Sequence, residues 1–96
     1  MILCKIMGIY PLEKREYTAK SGEVLQFKSK KVTMMCELGT FIGELIEETA
    51  QHFEDHPLTL NSMVFADVRF QFRKSVSKDN REFFSNDVII SKVIEL

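Results

Sequence analysis

Polar and apolar residues alternate along several stretches of the chain. Val32, Met34, Cys36 and Leu38 fall on one side of a two-residue period, and Lys31, Thr33, Met35 and Glu37 fall on the other. That is the pattern of a half-buried strand, and residues 24–38 are assigned to it. Residues 63–73 repeat the pattern. Val64, Ala66, Val68, Phe70 and Phe72 form an apolar side expected in the core; Asp67, Arg69, Gln71 and Arg73 form a polar side, joined by Phe65. Residues 2–12 and 83–95 are β-rich. Gly8 marks a bulge or bend in the first of these. A continuous alternation there sets Leu3, Met7 and Ile9 opposite Ile2, Cys4 and Ile6. Between Phe41 and Phe53 the apolar positions 41, 42, 45, 46, 49, 50 and 53 make a helical stripe. Gly43 weakens its first turn, however, and Phe41-Ile42 directly after Gly39 reads equally well as a short strand. The reading adopted is a strand near 40–46, then a helix from about Glu47 to His56, stopped by Pro57.

The resulting order, β-β-β-α-β-β, predicts a mainly β fold with one short helix. A single helix between the third and fourth strands is the order of the five-stranded Greek-key OB barrel. Ninety-six residues, 45% hydrophobic and 28% charged, suit one such domain over residues 1–96 and argue against disorder. Two cysteines, Cys4 and Cys36, are too few for a disulfide scaffold, and both lie in apolar runs. The start of the chain lacks a basic n-region, and no apolar run approaches the ~20 residues of a membrane span. A cytoplasmic protein, or one of the host cytoplasm if viral, is expected.

A net charge of −1 conceals a segregation of charge. From Lys14 to Lys31 there are six basic residues (Lys14, Arg15, Lys20, Lys28, Lys30, Lys31) against two acids, a local +4. From Arg69 to Glu82 there are five (Arg69, Arg73, Lys74, Lys78, Arg81) against two, a local +3. From Glu37 to His56 there are six acids and no Lys or Arg. In the adopted order the two basic segments are the β1–β2 and β4–β5 connections, with which an OB barrel grips oligonucleotides. The acidic segment is the helix, expected away from that groove. Aromatic residues interleave with the cations: Tyr17 and Phe27 in the first segment, with Phe83 and Phe84 directly after the second. Cations along the backbone and aromatic faces under the bases are how single strands are held. If residues 83–84 are in a strand, one of Phe83 and Phe84 points outward.

Tyr17-Thr18-Ala19-Lys20-Ser21-Gly22, followed by Phe27-Lys28-Ser29-Lys30-Lys31-Val32-Thr33, resembles the Lys-Ser-Gly loop and second strand of small OB-fold single-stranded-DNA-binding proteins. Such proteins occur in bacteriophages, conjugative elements and primosome-type replication machinery. Ile89-Ile90-Ser91-Lys92-Val93-Ile94-Glu95-Leu96 is similar to their closing strand. The chain departs from the larger members in having no Trp, and it lacks the acidic tail of the bacterial housekeeping ones, so recruitment of partners by a tail is not expected. The resemblance implies non-catalytic binding of single-stranded DNA with little sequence preference, in replication, recombination or repair, usually as a homodimer. Apolar residues on both sides of the first two strands, Ile9 and Met35 among them, would form the dimer contact.

Enzyme chemistry finds no support. His52 and His56 have a zinc-ligand spacing, but Phe53 and Asp55 stand where the zincin and inverted motifs need Glu, and no third His exists. Ser21-Gly22 is a turn and not a phosphate loop. No catalytic residue, metal, cofactor, small-molecule substrate or membrane partner is expected. Two rival readings use the same barrel: an adaptor that docks its acidic helix on a basic partner, and an RNA-binding OB module.

Overall fold

The computed structural model describes all residues, Met1–Leu96. Its elements are β1 (Ile2–Thr18), β2 (Val24–Cys36), β3 (Gly39–Ile46), α1 (Glu47–Asp55), β4 (Met63–Val76) and β5 (Glu82–Glu95). The predicted order is observed. The five strands close on themselves in the order β1-β2-β3-β5-β4. All pairings are antiparallel except the short parallel contact of β3 with β5 at Glu44 and Ile89. The ring is completed where Ile2–Lys5 of β1 pair with Met63–Ala66 of β4.

The core follows from the alternation. Cys4, Ile6, Val32, Met34, Leu45, Val64, Ala66 and Ile90 are fully buried inside the ring. Ala50 and Phe53 of α1, with Leu58 beyond it, extend the same cluster at one end of the barrel. Gly43 faces inward opposite Val32, and Ile90 occupies the space its side chain would fill: a Cβ there would run into Ile90 Cδ1 and Cγ1. A side chain at 43 and an isoleucine at 90 therefore exclude one another, which explains a glycine in the middle of a strand.

Two hairpins run well past the barrel. β1 and β2 pair as far as Thr18 and Val24, and β4 and β5 as far as Val76 and Glu82. The predicted connections 14–31 and 69–82 are therefore mostly strand, and the turns proper are only 19–23 and 77–81. Gly22 (φ +85°) and Asn80 (φ +62°) provide the left-handed residues these turns need. The projecting hairpins raise the radius of gyration to 15.5 Å, against about 12.5 Å for a compact domain of this length.

Three core expectations are corrected. Phe70 and Phe72 are 77% and 63% exposed. Beyond Val68 and Ile90 the inner side of β4–β5 has left the barrel, and no strand faces it. Leu38, 88% exposed, lies in the turn after β2, where the alternation has ended at Cys36. Ile9 packs against the core, because a bulge between Ile6 and Gly8 resets the alternation and places it opposite Val32.

Candidate nucleic-acid interface

The register of β1 with β2 sorts the first basic segment into two faces. Residues directly opposite each other in an antiparallel pair share a face. Arg15 lies opposite Phe27, and Tyr17 opposite Leu25. On β2 this face continues through Ser29, Lys31, Thr33 and Met35, the outward positions of the barrel, since Val32 and Met34 point in. Tyr10 joins it. A second bulge opposes Tyr10 and Pro11 to Lys31 alone, and the Tyr10 hydroxyl meets Thr33 Oγ1 at 3.0 Å. The ring lies against Gly8, where a Cβ would come within 3.1 Å of the hydroxyl oxygen. Tyr10 is thereby fixed yet 44% exposed. The outer surface of β1 and β2 is thus a stripe carrying Tyr10, Tyr17 and Phe27 with Arg15 and Lys31; exposed Glu13 shares it, and Glu44 of β3 lies opposite Lys31. Of its aromatics and cations, Phe27 is half-buried and the other four are exposed.

Lys14, Lys28 and Lys30 lie on the opposite face, against α1. Lys30 is buried: its Nζ donates to Glu54 Oε2 at 2.6 Å and to the Tyr10 carbonyl at 2.8 Å. The hydrogen bond from Lys30 holds the Glu54 carboxyl below the ordinary glutamate value, helped by the Leu12 N–H and the nearby Lys14 charge, while partial desolvation opposes them. The backbone N–H of Lys28 donates to Glu47 Oε1 at 3.1 Å, across the β3–α1 junction where Glu47 takes a left-handed φ of 53°. The acidic helix is therefore not remote from the first basic segment; it covers the root of that hairpin. Lys30 leaves the candidate ligand set, because its ammonium is buried and bonded to two acceptors within the protein. Its role is to tie helix, β1 and β2 together.

The second basic segment lies on the other hairpin, at the end of the barrel away from α1. Here too there are two faces. Arg69, Arg73 and Phe83 share one with Gln71, Ser75, Ser85 and Asp87. Arg73 Nε stands 2.7 Å from Asp87 Oδ2. Phe70, Phe72, Lys74 and Phe84 share the other. There the Phe72 and Phe84 rings stack with centroids 5.9 Å apart, Lys74 Nζ is 6.0 Å from the Phe84 centroid, and Lys74 pairs with Glu82 at 3.2 Å. Both Phe83 and Phe84 are exposed, on opposite sides, because the strand has no barrel beneath it. Lys78 and Arg81 sit in the turn, and Lys20 in the other hairpin's turn. Of the eleven cations singled out in the sequence, Lys14, Arg15, Lys20, Lys31, Arg69, Lys78 and Arg81 are exposed and without an ion-pair partner, and all of these but Lys14 lie off the helix-facing side.

Tyr10 is the residue that sequence reasoning passed over. Its signal was available: a glycine two positions earlier leaves room for a ring to fold back along the strand. His52 and His56 stack on each other with centroids 4.7 Å apart, and no cluster of three ligand-type side chains occurs in the chain. No helix is long and apolar enough to cross a membrane.

No protein-family model matches the sequence, and no curated protein matches it. Among solved structures the chain is similar to the second OB-fold domain of replication protein A from Methanococcus maripaludis. The TM-score is 0.56 at 13% identity, covering 98% of this chain and 79% of that one. The likeness shows an OB fold, as the element order predicts.

Proposed function

We propose that this protein binds single-stranded DNA without catalysis and with little sequence preference, in replication, recombination or repair. The observation that carries the proposal is the outer stripe of β1 and β2. Three aromatic side chains, Tyr10, Tyr17 and Phe27, share one face with the cations Arg15 and Lys31, neither of which is in an ion pair although Glu13 and Glu44 lie on the same face. Stacking of bases on aromatic faces tolerates any sequence, and cations follow the phosphates. Arg69, Lys78, Arg81 and Phe83 on the second hairpin, with Lys20 in the first turn, are proposed as further contacts for a longer strand.

The adaptor reading has less to work with. Two carboxylates of the helix, Glu47 and Glu54, are already engaged by Lys28 and Lys30. An RNA-binding module would use the same stripe, and competition between oligo-dT and oligo-U separates the two. The test of the proposal is charge reversal. Arg15→Glu and Lys31→Glu are each expected to weaken oligo-dT binding with the fold intact, whereas Glu48→Gln is expected to leave it unchanged or slightly tighter. Loss of binding in Glu48→Gln, with the stripe variants unaffected, would transfer support to the adaptor.

A further inference from the structure

The inner side of the β4–β5 hairpin is an apolar surface the fold leaves uncovered. Phe70, Phe72 and Phe84 lie on it in register, 77%, 63% and 61% exposed. At its root, Phe70 lines a groove with Met1, Leu38 and Phe41 at the mouth of the barrel. Val76 continues the face outward at 59% exposure. At ~200 Å² for a whole phenylalanine, the three rings alone expose on the order of 400 Å². With Leu38, Val76 and Met1 the patch reaches roughly 700 Å², above the ~300–600 Å² of the largest patch on a typical monomer.

Two occupants deserve comparison: a nucleic-acid strand and a second copy of the chain. Electrostatics separates them. The only charges on this side of the hairpin are Lys74 and Glu82, which neutralise each other at 3.2 Å. A phosphate backbone finds no free cation here, whereas the unpaired cations Arg69, Lys78 and Arg81 sit on the other side or in the turn. A neutral apolar face has nothing to repel a copy of itself. Its area matches the ~800 Å² per partner of a stable interface.

We propose that the Phe70–Phe72–Phe84 face is a homodimer interface, in which two hairpins pack apolar side to apolar side about a two-fold axis. The arrangement leaves the β1–β2 stripe of each copy open and joins two such stripes in one particle. It differs from the contact expected at Ile9 and Met35: Ile9 is packed in the core, and Met35 belongs to the outer stripe.

The test is sedimentation equilibrium without nucleic acid, on wild type and on Phe72→Glu, Phe84→Glu and Met35→Lys. Wild type and Met35→Lys are expected to have about twice the 11.2 kDa chain mass at tens of micromolar. Each hairpin variant is expected to raise the dimer dissociation constant by roughly thirtyfold or more. Phe72→Ser provides a milder second variant, and far-UV circular dichroism checks that each variant stays folded. A wild-type mass of 11.2 kDa, a dimer that survives the hairpin variants, or a dimer lost only in Met35→Lys overturns the proposal. So does a monomer whose Phe72→Glu variant loses oligo-dT binding, which would assign the face to nucleic acid.

Discussion

Replacing Tyr10 tests the stripe where its geometry is best defined. The ring is held by Thr33 Oγ1 at 3.0 Å and backed by Gly8, leaving one side for a base. Stacking on an aromatic side chain is worth about 1–3 kcal/mol per base. With 44% of Tyr10 exposed, the lower part of that range applies. Taking ~1–1.5 kcal/mol, Tyr10→Ala should raise the dissociation constant for oligo-dT roughly 5- to 12-fold. Tyr10→Phe keeps the ring and removes only an exposed hydrogen bond, so its affinity should stay within about twofold of wild type. Gly8→Ala should fall between them. Its Cβ would stand 3.1 Å from the hydroxyl and 3.3 Å from Thr33 Oγ1, so the ring must lift by a few tenths of an ångström. The fold should survive Tyr10→Ala, because Lys30 bonds the backbone carbonyl of residue 10 and not its side chain. Fluorescence anisotropy with labelled oligo-dT reads all three. Tyr10→Ala binding like wild type, while Arg15→Glu binds weakly, would refute the stacking role.

Lys30→Met should lower stability measurably in urea, since the Tyr10 carbonyl loses its charged donor and the helix its tie, yet leave oligo-dT affinity within about twofold at matched folded fraction. Gly43→Ala forces a methyl against the buried Ile90 and should cost about 1–3 kcal/mol; in a thermal melt, coupling with Ile90→Ala should recover much of that loss, and full additivity would refute the clash. Because Glu54 is held below its ordinary value in the folded state, it contributes stability that is complete above about pH 5 and lost as pH falls through its folded pKa; Glu54→Gln should therefore be less stable than wild type near pH 8, converge with it at low pH and show a flatter stability–pH curve below about pH 5.

The strands, the helix and their order were readable because each inward position on the barrel wall repeats with period two, as Val32, Met34, Val64 and Ala66 show. The reading failed where a local pattern depends on something outside it. Phe70 and Phe72 continue the same alternation as Val64 and Ala66, and nothing in the chain marks where the barrel beneath them ends. The bulge that turns Ile9 inward leaves the residue types unchanged and alters only their pairing. The candidate site was half visible. Arg15, Tyr17, Phe27 and Lys31 stand out as cations and aromatics in one segment, but Lys14, Lys28 and Lys30 have the same composition and lie on the other face. Only the cross-strand register, Arg15 to Phe27 and Lys14 to Lys28, separates the cations on the aromatic stripe from those on the helix side.

The central claim is single-strand binding through unpaired cations and aromatic faces. Its most direct test is the affinity for a labelled oligo-dT of ~16 nucleotides, within the 4–16 that one OB fold spans, measured by anisotropy across a salt series beside a duplex of equal length. The six unpaired cations off the helix-facing side bound the response. At ~0.7 counterions per phosphate, contacts from three to six of them give a log–log slope between roughly −2 and −4. A slope in that range and weaker binding of the duplex are expected. Equal affinity for the duplex, a slope near zero, or no binding of oligo-dT at low salt up to about millimolar protein would contradict it.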